Sequence, residues 1–83
     1  MNNHATLPRE MSETTRQETI TAVREIYAKR LKLIDRAIKA AELAREHTLG
    51  YTSIHSAIYS LKDARRKVEQ RLEQEIKYWE KLE

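Results

Sequence analysis

The chain has 83 residues, enough for one domain at most, with 35% charged residues, one Gly, one Pro and neither Cys nor Phe. That composition suits long helices and excludes a disulfide framework, a thiolate metal site and a cysteine nucleophile. Sixteen Lys and Arg against 13 Asp and Glu give +3, a mild basic bias that falls short of the lopsided charge of a dedicated nucleic-acid binder.

The first 20 residues contain no apolar run, so no secretory signal is expected there. No stretch approaches the roughly 20 apolar residues of a membrane span. The expected location is cytoplasmic, with no membrane contact.

In chain order, residues 1–11 (MNNHATLPREM) are polar, aperiodic and hold the single Pro, and they are expected to form a flexible tail. Within it, Thr6 is a weak candidate to cap a short turn opened by Pro8. A helical hairpin follows over residues 12–83. Helix 1 is predicted over about 13–47, opening near Ser12 to Thr15, where Thr15-Arg16-Gln17-Glu18 fits a capping box. A turn over 48–52 contains Gly50 at the C-cap position, and Tyr51 is placed to pack beneath it as a hydrophobic staple. Helix 2 is predicted over about 53–82, with Thr52 or Ser53 as N-cap. At 1.5 Å per residue the helices are about 50 and 45 Å long. So short a connection makes them antiparallel neighbours.

Plotted at about 100° per residue, helix 2 has a single apolar stripe: Ile54, Ala57, Ile58, Leu61, Ala64, Val68, Leu72, Ile76, Trp79 and Leu82. Helix 1 has two. Ile20, Val23, Tyr27, Leu31, Ile34, Ile38 and Ala41 form one. Ala22, Ile26, Leu33, Ala37, Ala40 and Ala44 form a second beside it. One partner helix covers one stripe, and a two-helix seam has solvent on both flanks, so small a core contributes only a few kcal/mol. The second stripe is therefore expected to be an interface. The plainer reading, that alanine simply favours helix, accounts for the four alanines but not for Ile26 and Leu33. The expected architecture is an all-α antiparallel two-helix hairpin that either assembles as a homodimeric four-helix bundle or docks on a partner protein. Ile26, Leu33, Ala37, Ala44 and Trp79 are the interface candidates.

Three charges intrude on the apolar arcs: Arg30, Arg65 and Glu75. A reversal around Gly50–Tyr51 sets residue i opposite roughly residue 101 − i, which brings Arg30 near Glu75. They are expected either to pair and fix the register or to extend to solvent from the stripe's edge. Acid-first i,i+4 pairs (Glu25–Lys29, Asp35–Lys39, Asp63–Lys67, Glu73–Lys77) support the helices. The remaining charge is uneven. Lys29, Lys32, Arg36 and Lys39 on helix 1 and Lys62, Arg66 and Lys67 on helix 2 form a basic band across the middle. The end carrying the termini leans acidic. The band is open to three readings: a solvated face, a contact for an acidic protein, or a contact for phosphates.

No pattern carries chemistry. A single Gly provides no phosphate loop, and neither helix holds a His-x-x-x-His or Glu-x-x-His pair. No nucleophile, base and orienting group converge. His47, Glu46 and His55 flank the turn and are read as surface residues rather than as a zinc site. His55 and Tyr59 are i,i+4 neighbours expected to stack. No catalytic, cofactor-binding or metal-ligating residue is expected, and the chain is not read as an enzyme.

In length, in its one short turn and in the late aromatic pair Tyr78-Trp79, the chain resembles two families. One is the plasmid-type RNA-binding hairpins that dimerise into four-helix bundles, and the other is the small hairpin co-chaperones of type III secretion. No motif matches residue by residue, so no functional residue is carried over. The leading expectation is a small non-catalytic protein-interaction module of adaptor, co-chaperone, antitoxin-like or inhibitor type. A dimeric accessory nucleic-acid binder is the alternative, followed by a purely structural subunit.

Overall fold

A computed structural model describes residues 7–48 and 52–81. A short 3-10 turn, Pro8–Glu10, precedes two long helices, α1 (Glu13–Thr48) and α2 (Thr52–Glu80), and the described residues include no strand. The helices pack against each other along their length as a hairpin. At 56 × 26 × 19 Å the molecule is about one helix long. Its radius of gyration, 18.1 Å, far exceeds the roughly 12 Å of a compact chain of this size.

Within the segment expected to be a tail, Pro8–Glu10 forms a single turn. Proline's fixed φ suits the first position of a helical turn, and Pro8 is buried where this turn packs on α2. The Leu7 N–H donates to the Glu10 carboxylate at 3.0 Å, and the Glu10 N–H returns a bond to the Leu7 carbonyl at 2.9 Å. Leu7, not Thr6, is thus the residue preceding the turn, and Thr6 itself lies outside the described residues.

The start of α1 also differs from the expected capping box. Ser12 caps the helix: its Oγ accepts the Thr15 N–H at 3.1 Å and its carbonyl accepts the Arg16 N–H at 2.9 Å. Thr15 is already inside the helix, its hydroxyl accepting from the Ser12 hydroxyl at 2.9 Å. The earlier start also places Glu13 in the first turn, where a carboxylate complements the exposed N–H groups. At the far end, the Thr48 hydroxyl donates to the Ala44 carbonyl at 2.7 Å, the back-bond a helical Thr makes to the residue four before it. The Gly50 cap and the Tyr51 staple lie outside the described residues, as does Leu82.

The seam is built from the residues of the expected stripes. Ile20 and Tyr27 of α1 and Ile58 and Ile76 of α2 are buried. Val23, Leu31, Ile34, Ile38 and Ala41 face Ile54, Leu61, Ala64, Val68, Leu72 and Trp79, all half-buried. Ala57, expected in the seam, is exposed. Among the described residues no large side chain is fully enclosed, which is what two helices without a third layer can achieve.

Candidate functional site: the open side of the hairpin

The two flanks of the seam differ in chemistry. On one flank, α1 and α2 are bridged by charge. The Arg65 Nε donates to Asp35 at 2.6 Å and its Nη1 to Glu69 at 2.6 Å, while the Lys62 ammonium lies 3.7 Å from Glu42. These two carboxylates raise the Arg65 pKa further above its already high ordinary value. The Asp35–Arg65 pair sits within one residue of the 101 − i register.

On the other flank the hairpin is open. Ile26 is 51% and Leu33 62% exposed, and Ala22, Ala37, Ala40 and Ala44 are exposed along the same row. The whole second stripe of helix 1 is therefore uncovered. Toward the open end, beside Ile26, a groove of about 750 Å³ lies between the helices, floored by Val23, Ile26, Tyr27 and Tyr78, with Arg30 and Arg71 beside them. Helical geometry explains the asymmetry. The stripe is rotated from the seam by roughly a quarter of the α1 circumference, beyond the reach of a single neighbour.

Glu75 and Arg30 meet in this groove, but not as a pair. The Tyr27 hydroxyl donates to Glu75 at 2.6 Å, and the Arg30 guanidinium lies over the Tyr27 ring, 5.0 Å from its centre. Tyr27 thus occupies the space where an Arg30–Glu75 ion pair was expected, and its ring and hydroxyl serve each charge separately. Holding its proton against a carboxylate, Tyr27 has its pKa pushed above the ordinary phenol value, chiefly by that hydrogen bond. This is a register contact of uneven polarity: position 27 reads as apolar on a wheel, while its hydroxyl needs a partner across the seam.

The basic band divides in two. Its helix 2 half is paired within the hairpin. Lys62 faces Glu42, and Arg66 and Lys67 both pair with Asp63, whose carboxyl they hold below its ordinary pKa. Its helix 1 half is not: among the described residues, Lys29, Lys32, Arg36 and Lys39 have no carboxylate within 4.0 Å. Two expected local pairs, Asp63–Lys67 at 3.0 Å and Glu73–Lys77 at 3.4 Å, form. Glu25–Lys29 and Asp35–Lys39 do not, since Asp35 is taken by Arg65 across the seam.

Trp79 is half-buried at the open end of the seam, edge-on to Tyr78 with ring centres 5.3 Å apart. Its carbonyl accepts a hydrogen bond from the Arg16 guanidinium at 3.1 Å. Arg16 is only 6% exposed and also binds Glu13, lowering the Glu13 pKa. It therefore ties the first turn of α1 to the last turn of α2. Arg16 falls on the seam arc of the helix 1 wheel, and that position was the signal for it in the sequence. Leu43 and Tyr59, exposed at 56% and 77%, lie off the stripes. Tyr59 points away from the seam, and among the described residues no aromatic ring, His55 included, pairs with it.

Among the described residues, no group of three or more His, Asp or Glu side chains is arranged to hold a metal ion. No described helix is long and apolar enough to cross a membrane. No protein-family model, no curated protein and no solved structure matches the chain.

Proposed function

We propose that the chain is a non-catalytic protein-interaction module, of adaptor, co-chaperone or inhibitor type, that engages another protein through the open side of α1. The observation that carries this reading is the solvent exposure of an apolar row, Ile26 and Leu33 with Ala37, Ala40 and Ala44, on a hairpin whose helices bury four apolar side chains among the described residues. Single exposed apolar residues are ordinary; a row running along one side of a helix is a docking feature. The free cations of α1 beside it would speed and orient encounter with an acidic surface.

Site-specific photo-crosslinking tests the reading. A benzophenone side chain placed at position 33 or 26 in the native cell should yield a discrete adduct with another polypeptide. One placed at position 59, on the outward face of α2, should not. Adducts absent at 33, or equally strong at 59, would remove the basis for it.

The alternative, an accessory nucleic-acid-binding role, is favoured by one observation: among the described residues, Lys29, Lys32, Arg36 and Lys39 have no carboxylate within 4.0 Å. It requires affinity that falls steeply with salt and is lost on combining Lys32→Glu with Arg36→Glu.

A further inference from the structure

The open side has a length, a shape and a sign of charge, and together they specify what fits it. From Ala22 to Ala44 the exposed row is about 33 Å long, the span of a helix of about 20 residues. At its open end the row borders a groove between the two antiparallel helices, and a helix laid along the row would complete a three-helix bundle by setting its ridge of side chains into that groove. The small residues Ala37, Ala40 and Ala44 allow close approach near the turn, while Ile26, Leu33 and Tyr78 supply bulk toward the open end.

The charge is what distinguishes the possible occupants. Lys29 and Arg36 border the row on its outer edge, and Arg30 and Arg71 border it in the groove; none has a carboxylate within 4.0 Å among the described residues. The carboxylate of the groove, Glu75, is engaged by the Tyr27 hydroxyl. On the opposite flank, by contrast, Lys62 and Arg65 are neutralised internally.

A second copy of the chain, packed antiparallel, would set Leu33 over Ala37 and Ile26 over Ala44 of its mate. The steric match is good, but the same packing lays Arg36 beside its own counterpart, and like charges at an interface are costly. A nucleic acid would satisfy the cations but would press phosphates against Ile26, Leu33 and Tyr78. A helix whose apolar stripe is edged by carboxylates satisfies both the row and its border.

We infer that the occupant of the open side is a single amphipathic helix of another protein, about 20 residues long, with Glu or Asp edging its apolar stripe over the turns that face Lys29, Arg30, Arg36 and Arg71. This rests on the protein-interaction reading proposed above and gives that partner a chemistry. Toward the open end the outer border changes to Glu18 and Glu25, so the acidic edge is required over the middle turns only.

The test is a display selection against the full chain. The library holds 20-residue helices with a fixed Leu/Ala stripe and edge positions varied among Glu, Lys, Gln and Ser. Clones enriched on the wild-type chain should carry Glu at the edges. Their affinity should fall at least tenfold on combining Lys29→Glu with Arg36→Glu, should fall several-fold between 50 and 500 mM salt, and should be lost on Leu33→Asp. Leu33→Gln, with far-UV circular dichroism as a fold check, serves as a second variant should Leu33→Asp unfold. Enrichment of Lys- or Gln-edged clones that still need Leu33 would overturn the acidic helix and leave the interaction module standing. A tight dimer by analytical ultracentrifugation that Leu33→Asp dissociates would replace the foreign helix with a second copy. No enriched clone would overturn the inference, and if the crosslink at position 33 is also absent, the module falls with it.

Discussion

Ile58 and Leu33 are both large aliphatic residues on amphipathic helices, and the hairpin assigns them opposite energetic weight. Ile58 is 4% exposed in the seam. Truncating a buried isoleucine to alanine removes its transfer free energy and leaves a cavity, typically about 2–5 kcal/mol. A seam open on both flanks collapses easily, so the lower half of that range, about 2–3 kcal/mol, is expected for Ile58→Ala.

Leu33 is 62% exposed, so a little over a third of its side chain is covered. Against about 1.5–3 kcal/mol for full burial, its share is about 0.6–1.1 kcal/mol, and Leu33→Gln exchanges one good helix former for another. The assay is urea unfolding followed by circular dichroism at 222 nm, at several protein concentrations spanning a hundredfold. Ile58→Ala should lower the midpoint at every concentration, and Leu33→Gln should lower it by less than half as much. Equal losses at the lowest concentration would mean that Leu33 lies inside the monomer's own core, and the open-side reasoning would be refuted.

Three further outcomes follow from the polar contacts of the seam. Tyr27 has a raised pKa when folded, so its hydrogen bond to Glu75 contributes stability below the ordinary phenol value near 10 and loses it as pH climbs through the folded value; stability measured from pH 9 to 11.5 should drop less steeply in Tyr27→Phe than in the wild type. Glu13 and Asp63 have lowered values, so their contribution is present above about pH 4.5 and 3.8 and disappears as pH falls through the folded values. The double variant Glu13→Gln, Asp63→Asn should therefore lose less stability between pH 5 and 2 than the wild type. Arg16→Gln removes the tie between Glu13 and the Trp79 carbonyl; hydrogen exchange should quicken in the last turn of α2 and the first turns of α1, while the amides around Ile34 and Val68 keep their protection.

Much of this molecule can be read from residue spacing. A chain with one Gly and one Pro, two long periodic segments and a short break between them has few alternatives to an antiparallel hairpin, and the two apolar rows of helix 1 follow from 3.6-residue geometry alone. The seam residues Ile20, Tyr27, Ile58 and Ile76 were on the expected stripes, and the uncovered row was the one that exceeded a single neighbour's reach. Period and propensity are local properties, and they need no knowledge of what lies across the seam.

Pairing is not local, and only the tertiary arrangement decided it. Asp35 sits four residues from Lys39 on one helix yet pairs with Arg65 on the other, because the folded hairpin offers a forked guanidinium at closer range. Arg30 and Glu75 stand at the expected register, but the Tyr27 side chain fills the space between them and engages both. The burial of Arg16 likewise depends on where the end of α2 lies, since its guanidinium donates to the Trp79 carbonyl. Which cations remain free to meet a partner is thus settled by pairing: each cation of the helix 2 half of the basic band has a carboxylate within the hairpin, and the helix 1 half, among the described residues, has none and faces solvent beside Ile26 and Leu33.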